Sequence, residues 1–281
     1  MRSASFLLIV LGLGVGGCSV NPATGRTQLI LISPQQILAM SDAAATEVVA
    51  QHGGEIESPP LRAYVDRVGQ GLAQRTEIEF RDAHDWTFTI VDSDEINAFA
   101  LPGGKVYLSR GLLERFTNEA QVAAVLGHEI GHVTARHVDE RLSQVALAQL
   151  GLGALGEATE SQLALVVVGM VTQGTLLRFG RDQEREADIQ GLKYMTAAGY
   201  DPDAMLEVLQ ILADASTGPR PPEFLSTHPH PQSRLRTVRG LLDGPYHHTR
   251  NNPAFRKYRR RFQEEAAPYL SPPRLASHPA P

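Results

Sequence analysis

The sequence holds one cysteine and one tryptophan, and it has no charge excess that would build a basic field. A single cysteine, Cys18, excludes any disulfide within the chain. A net charge of −5 gives no global attraction to nucleic acid, so no nucleic-acid partner is expected. No repeat recurs at a fixed period, which argues against a solenoid or propeller. Apolar runs are short. Past the N-terminus the longest is "LALVVVGMV", 163–171, about half of a membrane span. It reads either as a buried helix or as a membrane-touching one. "GLGVGG" matches GxGxxG from Gly12 to Gly17, but no strand or helix surrounds it, so a dinucleotide site is discarded.

What is present begins with a leader. "MRSASFLLIVLGLGVGGCSV" carries Arg2, an apolar run from Phe6 and small residues ahead of Cys18. That is the pattern of a signal peptide over 1–17. Val15, Gly16 and Gly17 resemble a bacterial lipobox, which implies cleavage before Cys18 and lipid attached to it. Ser19, in place of Asp, resembles an outer-membrane signal. The expected location is the cell envelope, on the periplasmic side, anchored by lipid to the outer membrane. Residues 18–32 are expected to form a lipidated tether, 33–243 the folded domain and 244–281 a Pro/Arg-rich tail.

The folded part reads as helices around a small sheet. Ser33-Pro34 caps a helix to about Gly53. A second, from about Pro60 to Arg75, aligns Leu61, Tyr64, Val65, Val68 and Leu72. "WTFTIVD" (86–92) and the two halves of "INAFALPGGKVYLS" (96–109) read as strands. Asn118 with Gln121 starts a helix that runs, with an interruption, to about Gln149. A flexible break covers 151–161. Further helices cover 181–199, Asp201 to about Ala213, and "QSRLRTVRGLL" after a proline-rich loop at 217–231. The fold class is α+β. "RKYRRR" (256–261) is expected to be a solvated helix face. His247 and His248 form no i,i+4 pair and read as surface residues.

The chemistry concentrates in "LGHEIGHVTARH", 126–137. Four residues turn a helix through about 400°, so His128 and His132 share a face and can grip one ion. Glu129 sits beside them, where it can take a proton from a bound water. This is HExxH, and zinc suits it. The apolar, glycine-rich flanks mark a buried, closely packed helix. Burying His, Glu and His without a partner is costly. A catalytic zinc takes three protein ligands and a water. His137 is about 140° from His132 and about 180° from His128 on a continuing helix, so it faces away. The metzincin third histidine would fall at Val138, and no glycine turn intervenes. His137 is therefore read as a structural or outer residue. In "EREAD" (184–188), Glu184 and Asp188 are again four apart. One carboxylate can bind the metal while the other orients a ligating histidine. Glu184 is the expected third ligand and Asp188 the orienting carboxylate, towards His128. Glu186 points to another side.

With HExxH, the later ExxAD and then "THPHPQSR", the sequence resembles the Ste-twenty-four-type, CAAX-prenyl-protease family of zinc peptidases (peptidase family forty-eight, gluzincins), from about Asn21 to Leu242. Its pattern is similar to bacterial envelope members of the beta-barrel assembly-enhancing type and their lipoprotein relatives; "NPATGRTQ" shares that likeness. The prenyl proteases themselves have several spans, and no tetratricopeptide repeats follow here. The resemblance implies that "NAFA" (97–100) is an edge strand, with Asn97 and Ala98 contacting the backbone of an extended substrate. It implies that His228 either bonds the oxyanion or binds zinc as a removable plug, and that Arg234 supports His228 or the oxyanion. His230 is the less favoured alternative to His228 for that role. The function implied is a zinc metalloendopeptidase with one Zn2+ per chain. Its substrates would be unfolded or extended envelope polypeptides, in quality control linked to outer-membrane assembly. Two rivals are a zinc-bearing chaperone or assembly factor and a metal-storage lipoprotein.

Overall fold

In the computed structural model the described residues are 18–155, 178–217, 222–229 and 231–270. The expected signal peptide, the apolar run 163–171, most of the break at 151–161, His230 and the last eleven residues lie outside them. Among the described residues no helix is long and apolar enough to cross a membrane.

A capping box at Ser33 and proline at the first helical position start α1 (Pro34–Gln51) as the sequence leads one to expect. Helix α2 (Pro59–Ala73) buries Leu61, Tyr64, Val65, Val68 and Leu72 on one face. A short α3 (Ile78–Arg81) leads to the sheet. Strands β3 (Thr87–Val91), β4 (Ala98–Leu101) and β5 (Lys105–Ser109) lie in the order β3-β5-β4, with β3 parallel and β4 antiparallel to β5. β4 is thus an edge strand. Its alternate side chains face opposite ways: Ala98 and Ala100 join the core around α5, while Phe99 and Leu101 join the cluster built on α1. Ser109 caps α4 (Arg110–Leu113). The architecture is α+β.

Helix α5 (Glu119–Thr134) is capped by Asn118, and every one of its residues is buried. It stops before Arg136, which takes left-handed backbone, φ 55°, and α6 (His137–Leu155) starts at the next residue. Helix α7 (Arg181–Ala197) packs along α5, followed by α8 (Asp203–Ala215), a short α9 (Phe224–Thr227) and α10 (Pro231–Asp243). The α5–α7 approach is backbone against backbone. A Cβ on Gly131 would lie 2.7 Å from Ala187 O, and one on Gly191 would lie 3.0 Å from His128 N. Glycine at these positions lets α7 come close enough to aim carboxylates at the histidines.

Regular structure also lies outside 33–243 at both ends of the described residues. Residues Cys18–Val20 (β1) and Thr27–Leu29 (β2) pair as an antiparallel hairpin. Asn21 Nδ2 donates to Thr134 O at 2.9 Å and Gln28 Nε2 to Ala135 O at 2.7 Å. These amides satisfy carbonyls that the end of α5 leaves free, which a reading of local pattern does not reveal. At the other end, α11 (Arg259–Glu265) seats Phe262 in the core. Arg261 Nη2 reaches the buried Glu119 Oε1 at 2.9 Å, so the basic run is not wholly a solvated face.

Candidate metal centre

Helix α5 places His128, Glu129 and His132 on the face that meets α7 and α9. His128 Nε2 and His132 Nε2 are 3.1 Å apart. Glu184, from the first turn of α7, brings Oε1 to 3.4 Å from His132 Nε2 and Oε2 to 3.6 Å from His128 Nε2. His228, just after α9, brings Nδ1 to 3.3 Å from His128 Nε2 and 2.9 Å from Glu184 Oε1. One ligand atom from each of these four buried residues lies within 4.8 Å of the others.

The hydrogen-bond inventory shows why a cation fits. His128 Nδ1 faces Asp188 Oδ1 at 3.0 Å and His132 Nδ1 faces His137 Nδ1 at 2.9 Å. Asp188 can accept the Nδ1 proton of His128 and His137 that of His132; in that tautomer both Nε2 atoms present lone pairs to each other. Zinc bonds of about 2.0–2.1 Å to tetrahedral ligands put donor atoms about 3.3 Å apart, near the spacings found. Glu129 Oε1, Glu184 Oε2 and His228 Nε2 are buried with no hydrogen-bond partner. Three buried carboxylates, Glu129, Glu184 and Asp188, face one guanidinium, Arg234. That imbalance suits a divalent cation.

Electrostatics separate the carboxylates. Burial raises the Glu129 carboxyl above its ordinary value, against the pull of His228 and His128. Burial acts on Glu184 in the same direction, but His228 and Arg234 hold it well below the usual carboxylate range. Asp188 is likewise buried, yet Arg234 and His128 keep it low. Arg234 bonds Asp188 through Nε at 2.9 Å and Nη2 at 2.7 Å. Its Nη1 lies 2.7 Å from Glu184 Oε2, an ion pair off hydrogen-bond alignment, so both atoms also count as unpartnered. Arg234 is thus engaged with the carboxylates.

The expected residues meet. His128, His132, Glu184 and His228 cluster, Asp188 reaches His128, and Glu129 Oε1 stands 3.7 Å from His228 Nε2. Asn97 directly precedes the edge strand. Its N–H donates to Ser109 Oγ, while its side-chain Oδ1 is buried without a partner. Ala98 opens β4, fully buried. Beside them Phe224 N donates to Ile96 O at 3.1 Å, tying the His228 segment to the strand entry.

Other residues escaped the sequence reading. Phe179 stacks on His132 with centroids 3.9 Å apart, and Phe224 stacks on His228 at 4.2 Å. His137 does not face away. The left-handed Arg136 breaks the helix, so the angular argument for a continuing helix does not hold at His137. A left-handed position without glycine has no sequence signature.

A buried helix with HExxH, a carboxylate from a second helix and a small sheet with an edge strand define a zinc-dependent hydrolase of the gluzincin class. The profile of Peptidase family M48 matches residues 59–242, and the chain belongs to that family. It is 36% identical over 194 residues to a "Beta-barrel assembly-enhancing protease" of Escherichia coli, covering 66% of this chain and 39% of that protein. With the Yersinia pestis protein of that name the identity is 36% over 229 residues, 78% of this chain and 46% of the relative. With "Metalloendopeptidase OMA1, mitochondrial" of Danio rerio it is 33% over 237 residues, 79% and 50%. The chain therefore spans half or less of the length of these relatives.

Proposed function

We propose that the protein is a zinc metalloendopeptidase that cleaves unfolded or misassembled polypeptides of the bacterial cell envelope, held to the outer membrane by lipid on Cys18. The observation that carries this reading is the four-donor cluster with Glu129 beside it. The names of the bacterial relatives support the envelope role and a link to outer-membrane assembly.

His128, His132 and Glu184 would hold one zinc ion. Bound there, it would lower the pKa of a water and polarise the scissile carbonyl. Glu129, raised by burial, takes the proton of the attacking water. The water oxygen bonds to the carbonyl carbon, the C–N bond breaks and Glu129 returns the proton to the leaving amine. Asp188 fixes the His128 ring, and Arg234 fixes Asp188. An extended substrate pairs with β4 through backbone near Asn97 and Ala98, which accounts for a preference for unfolded chains.

His228 would take the place of a fourth ligand, and a catalytic site needs that place open. The arrangement is read as a closed resting form in which His228 is the plug. Replacing His228 by Ala is expected to speed zinc loss to a chelator while casein cleavage survives. Loss of cleavage with zinc retained would assign His228 to the oxyanion instead.

The deciding experiment replaces Glu129 by Gln in the zinc-loaded protein. Casein cleavage should fall by about 10²- to 10⁴-fold with zinc content unchanged. A cellular role that survives the loss of cleavage would favour a chaperone. Zinc well above one per chain would favour metal storage.

A further inference from the structure

His128 and His132 each need something on the far side of the ring. For His128 that group is Asp188. For His132 it is another histidine. His137 Nδ1 lies 2.9 Å from His132 Nδ1, and His137 Nε2 lies 2.9 Å from Glu186 Oε2. His137 is fully buried and Glu186 is 26% exposed. Glu186 Oε1 is in turn at ion-pair distance, 3.3 Å, from Arg26 Nε, and Arg26 grips Glu140 with two hydrogen bonds. Arg26 stands in the turn of the N-terminal hairpin.

If His132 binds a metal through Nε2, the proton positions along this line of contacts follow. His132 must present a bare Nε2 to the metal, so its proton is on Nδ1. His137 can accept that proton only at a bare Nδ1, so its own proton is on Nε2. Nε2–H then needs an acceptor, and Glu186 provides it. Each link sets the tautomer of the next. Nothing else among the described contacts accepts from His132 Nδ1.

Resting on the reading of His132 as a ligand, we propose that His137 and Glu186 are positioning residues that hold His132 in its metal-binding tautomer and ring orientation. The left-handed turn at Arg136 serves this arrangement, because it brings the start of α6 back against His132. A histidine between ligand and carboxylate extends the contact outward, so that a residue on the surface of the fold takes part in holding the ion.

The test compares variants of similar shape. Asn places its carbonyl oxygen close to where His places Nδ1, whereas Leu of similar size accepts nothing. Zinc affinity is measured on metal-free protein by competition with a chromophoric chelator, and the Co2+ absorption spectrum reports ligand geometry. H137L should bind zinc about ten- to a hundredfold more weakly than wild type and shift the cobalt bands, while H137N stays within about threefold. In a second pair, at the partly exposed Glu186, E186A should bind more weakly than E186Q, whose amide oxygen still accepts from His137. H137L with wild-type affinity and spectrum would overturn the proposal, as would H137N falling as far as H137L. If H132A abolishes binding of one zinc while H137L and E186A leave it intact, the relay alone fails. If the wild-type protein binds no zinc, the reading of the site fails first.

Discussion

The two histidines of one helix are held in different ways. His128 is backed by Asp188, which is backed by Arg234, and all three are buried. His132 is backed by His137, then by Glu186 and Arg26, and exposure rises along that line to 26% and 36%. The first support is a compact charged knot between α5, α7 and α10. The second leads out to the hairpin at the start of the described chain. A buried charge pair is stable only while both partners remain, whereas a support that reaches the surface can lose its outer members at low cost. One side of the site should therefore be brittle and the other graded.

The largest effect should come from the brittle side. D188A removes both of Arg234's hydrogen bonds to a carboxylate and leaves it buried with the misaligned contact to Glu184 and Nη2 3.2 Å from His128 Nδ1. Urea unfolding of the metal-free protein should show a loss of about 3–5 kcal/mol. In the same measurement H137L should cost about 1 kcal/mol, the worth of an ordinary hydrogen bond. Equal losses would break the comparison. Next comes G131A, which acts on both sides at once. Its Cβ would meet Ala187 O at 2.7 Å, so α7 must shift and carry Glu184, Glu186 and Asp188 with it. A loss of about 1–3 kcal/mol is expected from overpacking, with weaker zinc binding. A variant as stable and as zinc-tight as wild type would show that the α5–α7 approach does not set the site.

The same contrast governs what could be read without coordinates. The brittle side follows from helical spacing: His128 and His132 are four apart, Glu184 and Asp188 are four apart, and each pair stays on one straight helix. Their meeting needed only the two helices to pack, and the small residues along α5 already marked a close contact. Arg234 and His228 entered through family likeness, since "STHPHPQSR" itself carries no periodic signal. The graded side depends on where a helix ends. On a continued helix His137 points away. The turn at Arg136 reverses that, and its residue type gives no warning. The hairpin was missed for a related reason: three-residue strands have too few alternations to show a period. Its stability comes from Asn21 and Gln28 bonding to a helix end more than a hundred residues away.

The smallest effect should be at Arg26, and it separates the outer support from the hairpin that carries it. R26A removes an ion pair with Glu186 and two hydrogen bonds to Glu140, all partly exposed. The stability cost should stay below about 1 kcal/mol and shrink further in high salt. The hairpin remains docked, because Asn21 is fully buried and donates to both Thr134 O and Gln28 Oε1. The line of contacts from Arg26 to His132 runs through Glu186 and His137. R26A should therefore lower zinc affinity slightly in the wild-type background and not at all in E186Q, a double-mutant cycle with a measurable coupling. An R26A effect that persists unchanged in E186Q would mean that the hairpin acts on the site by another route, through the end of α5 that Asn21 and Gln28 hold.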